Sequence, residues 1–165
     1  MGSGVEEAQM RILVIAGLIL APCSAASAQG LSAELLCDPA SSPYDAVAAA
    51  PYSHRVQFED EHVRVLEIVL PPGAIEPVHV HALPSVIMGE TGGKGGAKFL
   101  YKEYRFVNEK FVETSSNEVT PSAGYRAVWT APEGPHSITN VGPVEVRFTR
   151  IEIKPEACAA MARTR

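Results

Sequence analysis

From His54 to Lys154 the chain is written almost entirely in short period-two segments, each stopped by a glycine or proline cluster. The clearest is "HVRVLEIVL", His62 to Leu70, dense in β-branched residues and ended by Pro71-Pro72-Gly73. Segments of the same kind follow or precede it at Arg55–Phe58, Pro77–His81, Ser85–Met88, Lys98–Phe106, Arg126–Thr130, His136–Asn140 and Val144–Ile153. The stops "GETGGKGG", "TPSAGY", "APEGP" and "NVGP" come too often to leave room for a long helix. Alternation sends successive side chains to opposite faces, so each segment can bury one face. Many such strands predict an all-β sandwich or barrel. The 165 residues suit one domain, and 46% hydrophobic with 20% charged residues is ordinary globular composition.

The chain begins differently. Arg11 precedes the apolar run "ILVIAGLIL", Ile12 to Leu20, and then "APCSAASAQG" offers Ala26-Ser27-Ala28 to a signal peptidase. This order predicts a signal peptide over residues 1–28 with cleavage before Gln29. Met10 competes with Met1 as the start, because Glu6 and Glu7 are out of place in a positive n-region. The run is too short to span a bilayer, so no stable membrane anchor is expected. Cys23 would suggest a lipoprotein signal, but Pro22 stands where such signals carry a small residue. The expectation is a periplasmic or secreted protein. Its parts are an N-terminal arm over 29–53 with a short helix near Leu31–Leu36, a barrel over 54–154 and a tail over 155–165. Cys37 and Cys158 follow the signal, and in an oxidising compartment they are a disulfide candidate. A net charge of −5 without any lysine or arginine run argues against a nucleic-acid partner.

The chemistry concentrates in "GAIEPVHVH". His79 and His81 are two apart, so on a strand they project from one face while Val78 and Val80 project from the other. Two imidazoles so placed can share a metal, each through a neutral nitrogen. A third histidine, His136, opens a segment after "APEGP". Gly73, His79 and His81 fit the first motif of the cupin superfamily, and Pro132, Gly134, His136 and Asn140 resemble its second. The resemblance covers roughly His54 to Lys154.

That resemblance implies a single-domain jelly-roll β-barrel whose three histidines point inward and hold one divalent ion: Fe, Zn, Cu, Mn or Ni. It also implies a small-molecule ligand or substrate, and, as in many cupins, a homodimer is one expected assembly. Two departures stand out. The glutamate that usually follows the second histidine is replaced by Ser85 and Val86, and the spacer before His136 is Pro135 alone. A three-histidine site still suits borderline divalent metals. The expected activity is metal-dependent, dioxygenase-like oxidation of a small molecule. The alternatives are a non-catalytic module binding a small ligand or metal, and a metal-assisted isomerase or lyase.

Other polar residues receive blander assignments. His54 and His62 read as solvated or strand-edge histidines, and Glu67 and Glu152 as outer-face residues. Glu90 is a remote candidate to fold back as ligand or base. The glycine-rich stretch that begins there reads as a hairpin tip or a lid. Tyr101, Tyr104, Tyr125 and Trp129 are assigned to the core. No Ser-His-Asp spacing, cysteine-nucleophile motif or carboxylate pair supports covalent hydrolysis.

Overall fold

The computed structural model describes residues 32–89, 96–121 and 124–163. The expectations for the signal peptide, the cleavage site before Gln29, Glu90 and the glycines through residue 95 lie outside the described residues. Among the described residues no helix is long and apolar enough to cross a membrane.

The described residues form nine strands: β1 (His54–Glu59), β2 (Val63–Leu70), β3 (His79–His81), β4 (Ser85–Gly89), β5 (Phe99–Val107), β6 (Lys110–Val119), β7 (Arg126–Thr130), β8 (Glu133–Asn140) and β9 (Val146–Ile153). They make a five-stranded sheet, β1-β2-β9-β4-β7, and a four-stranded sheet, β3-β8-β5-β6. Every strand pair is antiparallel. The result is an all-β jelly roll: the period-two pattern predicts an all-β sandwich or barrel, and the jelly roll is what the motif resemblance implies. Non-consecutive neighbours such as β2 with β9 and β3 with β8 bring the two ends of the barrel sequence together.

The core follows from the alternation. Leu66, Ile68 and Leu70 of β2 point inward with Val146 of β9, and pack with Ala97 and Phe99. The turn after β2 uses Gly73 at φ +77°, a left-handed conformation that glycine adopts without steric cost. At the end of β8 the side chain of Asn140 is fully buried. Its Nδ2 donates to the carbonyls of Leu70 and Val144, both at 2.8 Å, and its Oδ1 accepts from the Gly142 amide. The motif asparagine is thus a clamp between the ends of β2 and β8.

Two features depart from the sequence expectations. Strand β6, "KFVETSSNEV", is absent from them because it is polar and nearly all exposed at the sheet edge. It pairs along β5 through the two-residue turn Asn108–Glu109, both at positive φ (48° and 62°). That is the backbone a tight hairpin demands, here reached without the usual glycine. The "EGP" stretch, expected to be a turn, lies within β8. Proline gives no ladder hydrogen bond there, and the β3–β8 register slips between His79 and His81.

The N-terminal arm holds α1 (Ala33–Cys37), a 3₁₀ turn (Pro39–Ser41) and α2 (Ala46–Ala49), and the tail forms α3 (Glu156–Ala162). A disulfide joins Cys37 to Cys158, with Cα atoms 5.2 Å apart, tying arm to tail. A crosslink spanning 121 residues of sequence stabilises by about 4–5 kcal/mol in the chain-entropy account.

Candidate metal centre

The short strand β3 buries both of its histidines and leaves Val80 half-buried between them. Across the ladder His79 stands directly opposite His136 of β8, and His81 opposite Glu133. The His79 and His136 rings are 4.4 Å apart, His79 and His81 5.3 Å, and His81 and His136 5.7 Å. The three histidines singled out by spacing are therefore gathered at one place inside the jelly roll.

They are joined by a fourth. His54, read as a solvated or strand-edge histidine, does open the edge strand β1 but is only 3% exposed, with its ring 4.8 Å from His79 and 5.3 Å from His81. The reason is register: His54 pairs with Ile68, an inward residue of β2, so its side chain also points in. Potential ligand atoms of His54, His79 and His81 lie within 4.8 Å of one another, as do those of His81, Glu133 and His136. These two triads share His81, and the trio His79, His81 and His136 straddles them. His62, by contrast, is solvent-exposed beside Glu61.

The ring nitrogens on the far side are all occupied. His79 Nδ1 lies 2.9 Å from the Pro77 carbonyl, His136 Nδ1 2.8 Å from the Gly134 carbonyl and His81 Nδ1 2.8 Å from Glu152 Oε1. Each partner is an acceptor, so each Nδ1 carries the proton and each Nε2 keeps its lone pair. His79 Nε2 is buried and has no hydrogen-bond partner. Burial lowers all four histidines below their ordinary range, His54 to about 4. Neighbouring Arg150 adds to the effect at each. Neutral imidazoles with unshared Nε2 lone pairs are the donor set a borderline divalent ion requires, and the residues present fit such an ion.

Behind His81 runs a buried ionic chain. Glu152 Oε2 accepts from Arg64 Nε at 2.6 Å, and Arg64 reaches Asp45 through two parallel hydrogen bonds of 2.9 and 2.7 Å. Asp45 also caps α2 by accepting from the Val47 amide, so the arm contributes directly to the site's support. Glu152 is fully buried rather than on the outer face, because its position on β9 is in phase with Val146 and Phe148 and directly opposite Arg64. Burial raises its pKa, against the pull of Arg64. Glu67 does sit on the outer side, paired with Arg147.

The cavity beside the histidines has a volume of about 180 Å³. Its polar wall is the four histidines with Glu76, Glu133, Arg150 and Tyr101, and its apolar wall is Ile68, Ile87, Ile138 and Phe148. Arg150 Nη2 pairs with Glu133 Oε2 at 2.6 Å. Tyr101 stacks on His136 at 5.2 Å and 21°, and burial raises its hydroxyl pKa. Glu76 is buried, and burial pushes its pKa up to about 7. Ser85, at the place of the missing glutamate, is buried opposite Glu152, and its hydroxyl has no partner.

The four aromatics divide. Tyr101 belongs to the cavity, and Tyr104 bonds Ser137 at 3.1 Å. Tyr125 and Trp129 are 62% and 61% exposed, contrary to a core assignment. Strand β7 is the edge of its sheet, with Trp129 on it and Tyr125 just before it, and both rings stay in solvent.

No family model matches the sequence. No curated protein matches it either. Among solved structures the chain is similar to a cupin domain from Bordetella pertussis Tohama I, at 24% identity and a TM-score of 0.43. That match covers 62% of this chain and 92% of that one. It is also similar to an RmlC-like cupin with a double-stranded β-helix fold from Methanocaldococcus jannaschii, at 15% identity and a TM-score of 0.41, covering 61% and 78%. A third, from Klebsiella pneumoniae, is an uncharacterized protein with a double-stranded β-helix domain, at 19% identity and a TM-score of 0.40, covering 62% and 70%. By its own strand order the chain is a two-sheet antiparallel jelly roll, and its two histidine segments lie side by side across the β3–β8 ladder.

Proposed function

We propose that this is an exported cupin that holds one divalent metal ion on His79, His81 and His136 and uses it to oxidise a small molecule. The carrying observation is the set of three Nδ1–acceptor contacts, which leaves every Nε2 unprotonated in a buried place. An ion bound there would supply Lewis acidity and, when redox-active, a means of passing electrons to dioxygen.

The chain's own residues do the rest. Glu152 fixes the His81 ring, and the Pro77 and Gly134 carbonyls fix the other two. The four apolar residues of the cavity wall keep bulk water out. Arg150 and Tyr101 line the same space and can orient an anionic or hydrogen-bonding group. A cavity of about 180 Å³ admits a molecule the size of about six waters, so the substrate, or the part of it that enters, is small. The disulfide between Cys37 and Cys158 supports an oxidising compartment.

The test is oxygen uptake by protein loaded with iron, copper, manganese or nickel in turn, against panels of small carboxylic acids, diketones and phenols. Metal-dependent uptake with one class supports the reading. Stoichiometric metal binding without turnover of any panel would make this a non-catalytic metal- or ligand-binding module. Substrate conversion without oxygen uptake would point to isomerase or lyase chemistry.

A further inference from the structure

The first motif of this chain lacks its carboxylate, and the buried Ser85 in that place offers only a hydroxyl. His54 offers more. Strand β1 is exposed at every position after the first, so its one buried side chain is the one that faces the histidine cluster. Its ring sits edge-on to His79 and tilted to His81. Its potential ligand atom falls within 4.8 Å of those of both.

The protonation of His54 can be read from its partners. Ser53 Oγ donates to the Ala50 carbonyl at 3.2 Å, so at 3.1 Å from His54 Nδ1 it acts as acceptor. The proton is then on Nδ1, and Nε2 keeps its lone pair, as in the other three histidines. Glu76 Oε1, on a buried carboxyl group, stands 3.5 Å from the same Nδ1, within ion-pair reach. A carboxylate behind the far nitrogen of a ligating histidine holds the ring and raises its basicity. Glu152 already stands in that relation to His81.

Building on the three-histidine reading, we propose that His54 is a fourth ligand to the same ion, with Glu76 as its positioning carboxylate. The centre is then four neutral imidazoles drawn from three strands, β1, β3 and β8, with the nearby Glu133 carboxylate paired to Arg150. Such a set favours imidazole-binding borderline ions over the oxygen-preferring Mg and Ca. In an octahedral arrangement it leaves two positions for a substrate instead of three.

Cobalt(II) added to metal-free, full-length mature protein tests this, followed by visible absorption and calorimetry. The wild type should bind one equivalent, and X-ray absorption of that complex should count four imidazoles. His54→Ala should still bind one equivalent, but more than about 10-fold more weakly and with altered visible bands. Glu76→Gln should weaken binding by about 10–100-fold. The exposed His62→Ala should change nothing. Three imidazoles in the wild-type complex, or unchanged affinity and spectrum in His54→Ala, would overturn the fourth ligand and leave the three-histidine site standing. Absence of cobalt binding by the wild type would overturn both. The imidazole count is made on the unmutated protein, so it decides the matter even where a variant fails to fold.

Discussion

Strands β2 and β9 run side by side for eight residues, yet the two ends of their shared inner face are built from opposite materials. At one end Leu70 faces Val146 and Ile68 faces Phe148; at the other Leu66 faces Arg150 and Arg64 faces Glu152. The apolar end gains free energy from burial, roughly 1.5–3 kcal/mol for each large side chain. The charged end gains little or nothing in that way, because taking ions out of water offsets most of their attraction. What it supplies is direction: Asp45 holds Arg64, Arg64 holds Glu152, and Glu152 holds the His81 ring. One alternating pattern thus makes core in one half and support for the site in the other.

Acid should show the division most strongly. In metal-free protein the four histidines are kept neutral by burial, whereas in the unfolded chain they titrate near 6.5. As pH falls from 6.5 the unfolded state takes up protons that the folded state refuses, so stability drops. For His54 the window runs from 6.5 to about 4. Each such imidazole costs about 1.4 kcal/mol per pH unit, and together they amount to several kcal/mol. Glu76 works in the other sense, because its pKa is raised to about 7. Its contribution is full below the ordinary 4.5 and is lost as pH rises through 7. Urea titrations between pH 8 and 4 should therefore show a net loss on acidification, and bound metal should reduce it. A flat profile would break the claim that the cluster is buried and neutral.

Cutting the charged end comes next. Arg64→Met leaves Asp45 and Glu152 buried without their cation and should cost about 3–5 kcal/mol in denaturant unfolding. It should also weaken metal binding, since Glu152 no longer has a fixed place. Leu70→Ala at the apolar end should cost about 3 kcal/mol through the cavity it leaves, with metal affinity unchanged. Equal effects of the two variants on metal affinity would refute the division of labour. The smallest effect belongs to the outer face. Glu67→Ala removes a partly exposed partner of Arg147 and should change stability by less than about 1 kcal/mol.

The strands of the barrel and the three motif histidines were legible because each depends on local alternation and short spacing. His79 and His81 are two apart on one strand, and a stop precedes His136. The supports were hidden because they depend on register between distant strands. Arg64 lies in phase with Leu66, Ile68 and Leu70, and Glu152 in phase with Val146, Phe148 and Arg150. A charged residue in phase with a buried stripe is a signal that period counting alone could have raised. His54 carries no such local signal: it opens an exposed strand and turns inward only because it pairs with Ile68. Glu133, within a stretch that looks like a turn, becomes a cavity residue only through the slipped ladder opposite His81. Strand β6 escaped because an exposed edge needs no hydrophobic alternation.

The most direct measurement is elemental analysis of untagged protein purified from its native compartment, beside His79→Ala, His81→Ala and His136→Ala prepared in the same way. The account predicts close to one divalent ion per wild-type chain. Each variant should lose most of it, because removing one of so few protein ligands leaves too weak a site. Wild type and all three variants carrying the same metal content, or none, would contradict the metal centre and leave the histidines as the wall of a pocket.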